Sequence, residues 1–176
     1  LVDDTLLVGL ARDMDLDLNT AIRRVAEELK DTRGELRVTL REHFVDRLPA
    51  VVSSPILLSR LLSELLTFAV DHAPASSTVT LRTLLVGDHA RHSVDCMFSV
   101  PEDAWRTWHP LLDKLARSNG GVLSLLRPEA EVAAESAHGD DSEDVWTTIS
   151  VDFAKPITRR HGDGEAAPSA GTESSA

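Results

Sequence analysis

Few residues in this chain have the type and spacing that chemistry requires. Its 7 histidines do not fall at metal-ligand spacing. His89 and His92 come near each other at a turn, and no metal site is expected there. Cys96 is the single cysteine, which excludes an internal disulfide and a multi-cysteine metal site. Glu64 and Asp71 lie on a strongly apolar helical stretch, as solvated or capping carboxylates or as remnants of a pocket. Trp105 and Trp108 stand one helical turn apart and read as packing residues, unless one of them anchors a partner from an exposed patch. There is no glycine-rich phosphate loop, no Gly-x-Ser-x-Gly, no His-Glu-x-x-His and no pair of cysteines.

The elements that must position these residues come from an ordinary globular composition. The 176 residues suit one domain with short appendages, and a hydrophobic share of 42% supplies a core. A net charge of −11 argues against non-specific nucleic-acid binding, which needs clustered Lys and Arg, and reads instead as solubility. No apolar run approaches the length of a membrane span, and no basic, apolar, small-residue signal stands at the N-terminus. With the lone cysteine, this leads to the expectation of a reducing, cytoplasmic setting without direct membrane contact by this segment. Because the chain opens on Leu1 rather than Met, it is expected to be a piece of a longer parent, which is itself free to be membrane-anchored.

Helical spacing of Val2, Leu6 and Leu10 predicts a helix over residues 1–12. The polar run Asp13–Asp17 breaks it. A second helix is predicted from Leu18 to Lys30, with Ile22, Val25, Ala26 and Leu29 on one face. Alternation in Leu36–Leu40 and the short run Ala50–Val52 predict two strands. Ser53 or Ser54 would cap, and Pro55 would open, the helix Ile56–His72. Its wide stripe of Leu58, Leu61, Leu62, Leu65 and Leu66 makes it the central one. Strands are predicted over Val79–Val86 and His92–Val100, with a helix from Pro101 to Ser118 and a turn at Asn119-Gly120-Gly121. Val122–Leu126 and Val145–Phe153 complete the set as a hairpin across an exposed acidic loop at 128–144. Residues 155–176 are expected to be a disordered tail. This mixture predicts an α/β (α+β) two-layer sandwich, a mixed sheet covered on one face by about three helices. If Val94, Cys96 and Phe98 face the core, Asp95 faces away from it.

The element order and the central helix resemble the GHKL ATPase superfamily, and within it the catalytic domain of sensor histidine kinases, a Bergerat-like fold. The resemblance covers residues 16–154, with residues 1–12 in the place of the end of a dimerisation helix. The family's central helix carries a box written roughly Glu/Asn-Leu-x-x-Asn-Ala-x-Lys/Asp-His/Tyr-Ser/Thr/Ala. Glu64-Leu65-Leu66-Thr67-Phe68-Ala69-Val70-Asp71-His72-Ala73 follows it except at Phe68, which stands where the family has the Asn that holds Mg²⁺ against the ATP phosphates. A phenyl ring offers no oxygen to Mg²⁺ and occupies more space than an amide. The second family motif, Asp-x-Gly-x-Gly-Ile-Pro, has an Asp that binds the adenine amino group. It falls on Asp95-Cys96-Met97-Phe98-Ser99-Val100-Pro101, where Met97 and Ser99 replace glycines that let the backbone approach the nucleotide. The glycine motif that anchors the ATP lid falls on Thr107-Trp108-His109-Pro110, and Pro101–Gly120 is only long enough for a helix. Asn119-Gly120-Gly121-Val122, by contrast, fits the family's His-Gly-Gly-Arg/Lys turn. The phosphoacceptor signature of His-Glu, an apolar residue and Arg does not occur. Its nearest echo is His43, in Arg41-Glu42-His43-Phe44, which follows a predicted strand.

The resemblance implies a degenerate histidine-kinase-like domain of a two-component signalling protein, a regulatory and interaction scaffold with no catalytic residue, metal or cofactor. Its implied partners are a receiver domain or another kinase, with a homodimer through the N-terminal helix. The alternative is a diverged, active kinase domain binding Mg-ATP through Glu64 and Asp71 or Asp95, which requires an open pocket beside Phe68 and a mobile lid. Without a metal or a phosphate clamp, a lone Glu64 is poor machinery for phosphoryl transfer. A third reading is a stand-alone binding domain with no link to signalling.

Overall fold

The computed structural model describes residues 13–34, 36–127 and 147–153. Three helices, α1 (Leu18–Arg33), α2 (Pro55–His72) and α3 (Glu102–Ser118), form one layer. The second layer is a five-stranded sheet of β2 (Thr39–His43), β4 (Thr78–Val86), β5 (His89–Cys96), β6 (Gly121–Leu126) and β7 (Thr147–Phe153). Its order is β2-β4-β5-β7-β6, with β2 parallel to β4 and the other pairs antiparallel. The remaining strands, β1 (Met14–Leu16) and β3 (Val51–Ser53), pair with each other in a separate antiparallel ribbon. This is the expected two-layer α/β sandwich with a mixed sheet.

Local chemistry sets the helix ends. Asp17 caps α1 by accepting from the Thr20 N–H at 2.6 Å, and that hydrogen bond lowers its carboxyl pKa. Ser54 caps α2, accepting from the Leu57 N–H, with Pro55 in the first turn where its missing N–H costs nothing. Between the layers, Leu58, Leu61, Leu65 and Phe68 of α2 meet Val79, Leu81, Val94, Ile149 and Val151 of the sheet, all buried. Burying each such side chain stabilises the fold by about 1.5–3 kcal/mol relative to exposure.

Several boundaries differ from the sequence expectation. The run Asp13–Asp17, expected only to break a helix, contains β1, because Leu16 finds Val51 as a partner. The strand expected at 36–40 lies at Thr39–His43, where its register with β4 begins at Thr39 opposite Thr78, so His43 is inside a strand rather than after one. The strand expected to start at His92 starts at His89, because Gly87, at a φ of 61°, turns the chain tightly between Val86 and His89. It ends at Cys96, where the chain leaves the sheet for α3. The proposed helix over 1–12, the acidic loop 128–144 and the tail 155–176 lie outside the described residues. Among the described residues no helix is long and apolar enough to cross a membrane.

Candidate functional site

The box on α2 leads to a seam of aromatic rings. Phe68 is 0% exposed. Its ring centroid lies 4.6 Å from His72, 5.5 Å from Trp108 and 5.8 Å from Trp105. Trp105 is in turn 5.2 Å from His109. Tilted and edge-on ring pairs of this kind add about 0.5–1.5 kcal/mol each beyond burial. The Nδ1 atom of His72 is 2.8 Å from the Phe68 carbonyl oxygen. A carbonyl only accepts, so Nδ1 carries the proton and the imidazole is held over the phenyl ring. Trp105 and Trp108 are half-buried packing residues that close the gap between α2 and α3.

The neighbouring box positions do not converge on a ligand. Asp71 is exposed and paired with Arg33 at the end of α1, through a contact of Nη1 with Oδ1 and a second of Nη2 with Oδ2 at 3.2 Å. Hydrogen bonding to Asp71 raises the Arg33 pKa, and the pair ties α1 to α2 at the surface, where such bridges add little stability. Glu64 is half-buried and makes no hydrogen bond or ion pair among the described residues. Met97 and Ser99, the positions that the resemblance assigns to glycines, are both exposed, Met97 by 41%.

Asp95 belongs to a different environment. Val94 and Cys96 point into the core, so the alternation of β5 turns Asp95 to the opposite face of the sheet. There it is only 3% exposed. It accepts from the Thr148 hydroxyl at 2.9 Å, and its Oδ2 is 3.0 Å from Arg82 Nη2, an ion-pair contact without hydrogen-bond alignment. Beside it Arg91 grips Asp152 with two hydrogen bonds of 2.5 and 2.9 Å, and the Ser124 and Ser150 hydroxyls are 2.8 Å apart. Arg82, Arg91, Asp95, Ser124, Thr148 and Ser150 line a shallow cavity of about 390 Å³. Phe68 and Asp95, the positions that the resemblance assigns to metal and adenine, therefore lie on opposite sides of the sheet.

His89 and His92 are also split by strand parity. His89 lies near Asp88 and Asp152, at 3.8 and 3.6 Å. His92 points the other way into the core, where burial pushes its pKa down to about 4, opposed only by a bond to the Arg82 carbonyl. Among the described residues no group of three or more His, Cys, Asp or Glu is placed to hold a metal ion. Burial, and secondarily the Asp95 carboxylate, pushes the Cys96 thiol up to about 12.

Sequence reasoning missed the role of Asn119. Its Oδ1 accepts from the Ser53 hydroxyl at 2.5 Å, and its Nδ2 donates to the carbonyls of Leu57 at 3.2 Å and Leu115 at 2.7 Å. One buried amide thus joins β3, α2 and α3. A polar residue directly after a predicted helix and before Gly-Gly was the only signal for it.

No protein-family model matches the chain, and no curated protein matches it in sequence. Solved structures do match. The cytoplasmic segment of histidine kinase QseC superposes with a TM-score of 0.60 at 15% identity, over 85% of this chain and 82% of that one. The mycobacterial sensor histidine kinase MprB gives 0.60 at 15% identity, over 80% of this chain and 97% of that one. The catalytic domain of histidine kinase ThkA gives 0.62 at 12% identity, over 82% and 96% respectively. At such identities the likeness establishes the fold, which is that of histidine kinase catalytic domains.

Proposed function

We propose, starting from the fold shared with histidine kinase catalytic domains, that this chain is an interaction module of two-component signalling that neither holds nor hydrolyses ATP. Phe68 carries the proposal: it stands at the position that the resemblance gives to the metal-holding Asn, and it is buried among His72, Trp105 and Trp108. Mg²⁺ takes hard oxygen ligands, and phosphoryl transfer depends on charges arranged around the phosphates. A seam of rings supplies neither. Of the carboxylates that the box and the second motif retain, Asp71 is engaged by Arg33 and Asp95 by Arg82 and Thr148, and Glu64 alone is poor machinery for phosphoryl transfer. α3 runs unbroken from Glu102 to Ser118, through the stretch where the family has its lid.

The proposed setting is cytoplasmic, and the proposed partners are a receiver domain or another kinase. Titration calorimetry of the chain with Mg-ATP tests the central claim. No saturable heat is expected at millimolar nucleotide, and a micromolar dissociation constant would overturn the proposal.

A further inference from the structure

The two outer strands of the sheet differ in kind. β2 ends the sheet with Arg41, Glu42 and His43, all exposed. Charges along an edge discourage another strand from adding to it. At the other side, β6 reads Gly121-Val122-Leu123-Ser124-Leu125-Leu126, without a charge. Among the described residues it pairs only with β7. Val122 is 63% exposed and Leu126 69% exposed, and both share the face of Ser124. An uncharged, apolar edge with no second partner strand among the described residues is a template for a further strand.

The β6 pattern is also symmetric about Ser124. If two β6 strands pair antiparallel around that residue, Val122 meets Leu126 of the second copy, and Leu123 meets Leu125. Each face then meets its own complement, as an isologous two-fold contact requires. In a chain of net charge −11, β6 is an edge where two copies approach without like charges meeting.

We propose that β6 is a self-pairing edge, through which two copies of this chain join antiparallel into one continuous sheet with its two-fold axis at Ser124. The contact goes beyond the signalling proposal and does not depend on it. Six residues a side make a small interface, so the dimer is reversible rather than obligate.

Ser124→Cys in the full chain tests the register. Opposed residues of an antiparallel pair have Cα atoms about 4.5–5.5 Å apart, within disulfide reach, and the chain's own Cys96 is buried. Mild oxidation is expected to give a covalent dimer with Ser124→Cys and none with Thr39→Cys on the β2 edge. Sedimentation velocity over a concentration series is expected to show reversible dimers of the unmodified chain. The pair Val122→Lys and Leu126→Lys is expected to weaken them roughly tenfold or more. Both positions are exposed, so this variant keeps its fold, which circular dichroism checks. A chain that stays monomeric at several hundred micromolar overturns the proposal. So does a dimer indifferent to the two lysines, or cross-linking as fast at position 39 as at 124.

Discussion

His92 and Asp95 sit three residues apart on β5, each 3% exposed, and the protein treats them in opposite ways. His92 faces the helices, where burial keeps its imidazole neutral and a single backbone carbonyl is its partner. Asp95 faces the other side, where Arg82 and Thr148 surround its carboxylate. The same contrast runs across the whole sheet. On the helix side rings and aliphatic groups exclude charge, as around Phe68. On the other side charges are admitted in pairs, as with Arg91 and Asp152. A nucleotide needs an apolar slot for its base beside a charged cradle for its phosphates. Here those two environments exist, separated by the thickness of the sheet.

Placing at position 68 the asparagine that the resemblance leads one to expect is the sharpest way to break this comparison. Phe68→Asn should cost at least about 3–5 kcal/mol in chemical denaturation, because it opens a cavity and buries an amide among rings. It should bring no Mg-ATP binding, since Asp95 still faces away. A variant that stays stable and binds Mg-ATP in the micromolar range would mean that the seam is a masked pocket.

The next effect follows from His92. Its folded pKa of about 4 lies below the ordinary value of 6.5. Between those values the unfolded chain binds a proton that the folded chain refuses, so stability falls as pH drops through that window, by on the order of 3 kcal/mol at most. Urea midpoints measured from pH 7 to pH 4 should show this slope, and His92→Gln should flatten it. An unchanged slope would place water beside the imidazole.

The smallest effect belongs to the open face. Asp95→Ala should cost about 1–3 kcal/mol by leaving Arg82 and the Thr148 hydroxyl without their partner. Mg-ATP titrations of this variant should be identical to those of the parent. A cost as large as that of Phe68→Asn would make the far face as much a core as the helix side.

Much of this was legible in the chain itself. α2 could be placed because Ser54-Pro55 marks its start and its leucine stripe has helical spacing. The parity of Val94, Cys96 and Phe98 in the sequence is enough to put Asp95 on the outer face. Parity could not tell that Asp95 would be buried there, since Arg82 and Thr148 come from other strands. β1 was invisible because three residues carry no periodicity, and only β3, far along the chain, makes them a strand. The ring seam was half visible: Trp105 and Trp108 read as packing residues, while their meeting with Phe68 depends on how α3 crosses α2.

Cys96 carries a consequence of another sort. It is the only thiol in the chain, buried at the end of β5 between Val79 of β4 and Thr147 of β7. Thiolate, not thiol, reacts with alkylating reagents, and burial has pushed this group up to about 12. In the closed protein it is both inaccessible and protonated. Labelling therefore waits for β5 to part from its neighbours, and its rate counts openings of the sheet's centre. The protein holds, in one unmodified side chain, a clock for its own breathing.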